Sequence, residues 1–110
     1  MAYTPKRLYT GQPAFTAGTL YTASGSTTTI VKSITVTNTT ATSATFSLSI
    51  VPSGSSQSAA NQIISGLPVS GNSTLTFENV GMLNTGDFIS ALQGTTSAIS
   101  LHIYGVEVTP

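Results

Sequence analysis

Ala44-Thr45-Phe46-Ser47-Leu48-Ser49-Ile50-Val51 is the stretch whose reading decides the fold. Apolar and hydroxyl side chains alternate along it, so Phe46, Leu48 and Ile50 share one face and Thr45, Ser47 and Ser49 share the other. A period of two marks a strand with one face in a core and one outside it. Pro52 has no N–H to give to a sheet ladder and ends the strand.

The pattern continues in both directions. Strands are predicted over 19–23, 28–37, 62–69, 74–80, 88–93 and 98–108, separated by Gly-, Asn- and Ser-rich turns at roughly ten-residue spacing. The last of those turns covers 94–97. Strong helix formers are never concentrated enough to give a 3.6-residue period, whereas Thr, Val and Ile suit a pleated surface. Seven or eight short strands imply an all-β fold, a single small β-sandwich of immunoglobulin-like or jelly-roll topology. The expected core is Ile34, Val36, Phe46, Leu48, Ile50, Leu75, Phe77, Phe88, Leu101 and Ile103, with Met82 and Leu83 closing a corner. On 28–37, Ile30 goes with Ile34 and Val36, and Val31 with the opposite face. Lys32 interrupts that strand, which predicts a sheet edge or a barrel rim there. Residues 53–60 hold no apolar side chain larger than Ala and read as an exposed loop.

Residues 1–17 read differently. Pro5 and Pro13 bias their neighbours toward extended backbone, and Tyr3, Leu8, Tyr9 and Phe15 are spaced among them beside Lys6 and Arg7. The segment is expected to be an extended N-terminal arm lying on a neighbouring subunit, the alternative being a frayed terminus with one short edge strand, with the sandwich domain over 18–110. Deleting 1–15 should then abolish attachment and leave the domain folded.

Composition limits the chemistry. Charged residues make up 5% of the chain and the formal net charge is zero, whereas a soluble domain is typically about a quarter charged. About a third of the chain is Ser or Thr. No basic field is present for nucleic acid or an anionic membrane. Cys is absent, so disulfides and thiolate metal sites are not available. No apolar h-region follows Met1, so no signal peptide is expected. A neutral hydroxyl surface loses little side-chain entropy when covered and has few ions to desolvate, which suits a subunit of an assembly.

Candidate chemistry is sparse. His102 lies on the last strand with Tyr104, Val106 and Val108, and Glu107 falls on the opposite face by parity. A Ser–His–acid triad would have to combine His102 with Asp87 or Glu78, and no G-x-S-x-G elbow exists. Asp87 follows Gly86 in a turn, where its carboxylate can accept backbone N–H groups. Glu78 and Glu107 could pair with Lys32 or Arg7. The chain therefore reads as no enzyme, with no cofactor, no metal and no catalytic residue. Trp is absent and two of the four Tyr lie in the arm, so a flat sugar-stacking platform is poorly supplied. Asn38-Thr39-Thr40 and Asn72-Ser73-Thr74 match the glycosylation pattern at the frequency a Thr-rich chain produces by chance. Because both faces of the last strand are apolar, its outer face should be covered by the arm, by a loop or by another subunit. The suspected interface is Tyr3, Lys6, Arg7, Leu8, Tyr9, Phe15, His102, Tyr104, Val106 and Val108.

Pro5-Lys6-Arg7-Leu8-Tyr9-Thr10-Gly11-Gln12-Pro13, Leu20-Tyr21-Thr22-Ala23, Val31-Lys32-Ser33-Ile34, Val51-Pro52-Ser53-Gly54 and Gly86-Asp87-Phe88-Ile89-Ser90-Ala91 together resemble small virion proteins of tailed bacteriophages. The resemblance spans most of the chain, and its motifs are turn and strand residues. It implies a structural component of the phage particle; the missing signal peptide points to synthesis in a bacterial host's cytoplasm, and the polar uncharged composition sides with the head surface of the virion. Such proteins often act as capsid decoration or cement proteins, commonly homotrimers, bound to copies of themselves and to the major capsid protein or other virion proteins. The alternative it leaves is a tail, baseplate or fibre component that binds a receptor or glycan, with the 53–60 loop as its contact.

Overall fold

Eight strands form in the computed structural model, which describes residues 2–94 and 97–110. Met1, at the start of the expected arm, and residues 95–96, in the expected 94–97 turn, lie outside the described residues. The strands are β1 (Ala2–Gly11), β2 (Gly18–Thr22), β3 (Thr28–Asn38), β4 (Ala44–Val51), β5 (Gln62–Val69), β6 (Thr74–Leu83), β7 (Phe88–Gln93) and β8 (Ile99–Thr109), with one 3-10 turn at Ala59–Asn61. The bounds of β4, β5 and β7 coincide with the sequence reading.

Two four-stranded antiparallel sheets face each other, ordered β1-β8-β3-β6 (sheet A) and β2-β7-β4-β5 (sheet B). Among neighbours in sequence, only β4 and β5 pair directly. The rest is a long hairpin rolled up, β1 on β8, β2 on β7, β3 on β6, with the roll closed by the β3–β8 and β4–β7 pairs. This is the jelly roll. The immunoglobulin alternative is excluded, since it builds its sheets from hairpin neighbours.

The core lies between the sheets. Ile34, Val36, Phe46, Leu48, Leu101 and Ile103 are buried as expected, joined by Val31, Val69, Leu83, Ile89 and Ile99. Each such side chain contributes about 1.5–3 kcal/mol by leaving water. Ile50, Leu75 and Phe77 pack against this core from its margin. Four expectations are corrected. Lys32 marks neither edge nor rim. β3 is an inner strand, and its register shifts between Val31 and Ser33 against both neighbours. The extra residue is a bulge, which flips side-chain parity, so Val31 points inward and Ile30 outward. Met82 pairs with Ile30 and is 56% exposed, so only Leu83 closes the corner. Phe88 sits on the outer side of β7, since Ile89, Ala91 and Gln93 are the inward residues.

The N-terminal segment is also corrected. Residues 2–11 are not an arm outside the sandwich. They form the edge strand of sheet A, paired to β8 from Ala2↔Thr109 to Gly11↔Leu101. An extended, Pro-containing segment suits an edge, where Pro5 can leave the ladder without breaking a central one. The β1–β2 connection is clipped down by Gln93, a fully buried amide on β7. Its Nε2 donates to Pro13 O, and its Oε1 accepts from Ala98 N at 3.0 Å and Ile99 N at 2.7 Å.

Candidate assembly surface

The outer face of sheet A reads as rows across its strands, because paired residues point the same way. One row is Pro5–Val106–Ile30–Met82, apolar from edge to edge. Beyond it lie Tyr3, Val108 and Thr28. On the other side comes Arg7–Tyr104–Ser33–Glu78, with a charge at each end, and then Thr10–His102–Thr35–Thr76, wholly polar. Gly105 makes the middle of this face possible: a Cβ there would stand 2.0 Å from Ile30 O, where the β3 bulge approaches β8.

β1 lies beside β8 in the sheet rather than over it, so neither arm nor strand covers this face. Tyr104 is 53% exposed, and Tyr3 and Met82 are similarly open. Six of the ten suspected interface residues therefore come together here: Tyr3, Arg7, His102, Tyr104, Val106 and Val108. The other four do not. A register shift between Arg7 and Tyr9 turns Leu8 into the core, where it is 7% exposed, and Tyr9 packs partly against that core. Lys6 points to the inner side of the sheet. Phe15 is exposed, but it follows β1 at the end of the sandwich away from Tyr3. Sequence reading missed Ile30 on this surface, because the Lys32 bulge that turns it outward is a property of pairing, and missed Met82, which the alternation from Leu75 and Phe77 already places outward.

Among the described residues, one ion pair forms: Lys6 Nζ to Glu107 Oε2 at 3.3 Å. Neither Lys32 nor Arg7 is the partner of Glu107, since both lie on the outer face and Glu107 faces inward. Tyr21 Oη donates to Glu107 at 2.5 Å, and Thr29 Oγ1 lies 2.8 Å from the same hydroxyl. With its single proton engaged by Glu107, Tyr21 accepts from Thr29. Burial first, and the Glu107 hydrogen bond second, push the Tyr21 hydroxyl from 10.0 up to about 12. The Tyr21 bond, ahead of Lys6, holds the Glu107 carboxyl below its ordinary value. The cluster ties β2 of sheet B to β1, β3 and β8 of sheet A. Arg7, Lys32 and Glu78 are exposed on the outer side of sheet A, and no ion pair joins them.

No family model matches the chain, and neither does any curated protein. Among solved structures it is similar to the coat protein of Tobacco streak virus, solved as a dimer, at 11% identity and a TM-score of 0.44 over 98% of this chain and 84% of that one. A likeness this distant has no bearing on function.

The remaining candidates resolve into structure. Asp87 accepts from Asn84 N at 2.9 Å, as its turn position predicts, and from Ser53 N of the exposed loop at 2.9 Å. His102 sits among threonines, away from Asp87 and Glu78 in the ladder. Among the described residues no three His, Asp or Glu side chains group as a metal site. Asn38 is buried, its amide donating to Thr42 O and Val69 O and its oxygen accepting from Thr40, so it is no glycan acceptor in the folded chain. One cleft lies outside sheet B, about 310 Å³, where Ser55, Ser56 and Gln57 meet Phe88, Ser90 and the start of β2. The loop that forms it is exposed as expected, and Asn61 braces it through Ser58 N and Ser56 O.

Proposed function

We propose that the chain is a structural protein of a virus particle, specifically a decoration or cement protein on the head of a tailed phage. The observation that carries this reading is the outer face of sheet A, an open surface with an uncovered apolar row on a chain almost free of charge. A contiguous exposed apolar patch marks a contact site. The jelly roll is a frame used for capsid subunits, lectins and cupins; that is analogy of fold alone. A cupin-type metal chemistry finds no ligand cluster among the described residues. The resemblance to small tailed-phage virion proteins points the same way. In this reading the partners are other copies of the chain and the major capsid protein, and the work is mechanical: many weak contacts repeated by symmetry hold a shell through avidity. Contact between copies uses the outward side chains of β1, Tyr3 and Arg7, in place of a free arm.

A second reading has one observation in its favour. The cleft at Ser55, Gln57 and Phe88 combines hydroxyls, an amide and one ring, the chemistry of a weak saccharide site in a tail or fibre. Mass spectrometry of purified particles that encode the chain, with a reconstruction to place the jelly roll, tests both. Repeated density over the head is the expected result. Density confined to the tail, with glycan binding that Phe88→Ala abolishes, favours the second reading. Absence from particles overturns both.

A further inference from the structure

We propose that two copies of this chain pack the outer faces of sheet A together about a two-fold axis running along the strands. The inference rests on the assembly reading above and names its contact.

The geometry follows from the rows. A two-fold axis parallel to the strands and lying in the interface places β1 over the partner's β6, and β8 over the partner's β3. Pro5 then faces the partner's Met82, and Val106 faces the partner's Ile30, so the apolar row covers itself. In the next row Arg7 stands over the partner's Glu78, and the symmetry repeats the pair at the opposite rim. These are two of the exposed charges that have no ion pair among the described residues. The third, Lys32 at the β3 bulge, comes over the partner's Tyr104, an arrangement in which an ammonium meets an aromatic face. A two-fold axis running across the strands instead sets each strand over its own copy, so Arg7 on β1 never meets the partner's Glu78 on β6. Charge therefore selects one orientation. The contact is isologous and closes on itself.

The surface has the size for a weak specific contact. Four strands of ten residues span roughly 19 by 33 Å. Mutual coverage thus removes on the order of 1,200 Å² in total, the low end of specific interfaces. Aligned sheets pack about 10 Å apart at roughly −30°, within reach of Arg and Glu side chains at the rims. Rim charges of this kind set orientation and specificity more than affinity.

Sedimentation velocity of the full chain over a concentration series, with Arg7→Glu, Glu78→Arg, the double reversal and Met82→Lys, tests it. Circular dichroism and melting confirm that each variant folds, which exposed positions permit. The expected result is a reversible monomer–dimer equilibrium for the native chain. Each single reversal weakens it about tenfold or more. The double reversal restores it to within about threefold, and Met82→Lys abolishes it. A native chain that stays monomeric at about 100 µM, well above the micromolar dissociation constants such areas support, overturns the proposal. So does a dimer or trimer indifferent to both reversals, which leaves the virion reading standing. Charge-swap behaviour as expected, in a protein missing from particles, would overturn the virion reading and keep the pairing.

Discussion

Glu107 is the residue on which three strands depend. Its carboxylate accepts from Tyr21 of β2 and pairs with Lys6 of β1, next to Thr29 of β3. The pH dependence follows from the two shifts. Tyr21 ionises at a higher pH in the folded chain than in the unfolded one, so its contribution is complete below pH 10.0 and is lost as pH rises through about 12. Glu107 is shifted down, so its contribution is present above its ordinary value and is lost as pH falls through the folded one. In Tyr21→Phe, urea midpoints measured between pH 10.0 and about 12 should lose the downward slope that the native chain shows there. At neutral pH the variant should be less stable by about 1 kcal/mol, one net hydrogen bond. An unchanged slope would show that another group governs alkaline unfolding. The Asp87 turn was legible from Gly86-Asp87 because its bond from Asn84 N is local, whereas the bond from Ser53 N, 34 residues away, was not. The Glu107 partners were not, since Lys6 and Tyr21 lie about a chain length away in sequence.

At the scale of elements, β1 decides how the molecule can be cut. It covers the edge of β8 along its length and carries Leu8 into the core. Removing residues 2–11 therefore exposes the ladder groups of a long apolar strand, a template for aggregation. Such a truncation should lose its cooperative melt and scatter light, in place of the folded, detached domain that a free arm would leave. A truncated chain that melts within about 1 kcal/mol of the full one, inside the range of ordinary surface changes, would show β1 to be dispensable. The strands themselves were readable where alternation was unbroken, as in β4. Parity past Lys32 and past Arg7 was not, because each bulge is created by the partner strand and leaves no mark in the local pattern.

At the scale of the whole molecule, folding relies on apolar burial and ladder hydrogen bonds, with one ion pair among the described residues. A partly exposed pair of this kind contributes at most about 1 kcal/mol, and salt screens only that. The monomer's urea midpoint should thus move by the equivalent of about 1 kcal/mol or less between 0.05 and 0.5 M NaCl. A larger loss of stability with salt would mean that electrostatics holds the fold. The composition, the strand alternation and the turn residues were enough to determine a sparsely charged all-β sandwich, because they act within a few residues of one another. The jelly-roll order, the inward turn of Val31 and Leu8, and the open apolar row from Pro5 to Met82 were decided only in the tertiary structure. Antiparallel pairing joins residues as distant as Ala2 and Thr109, and it is the register between them that assigns each side chain to the core or to the surface.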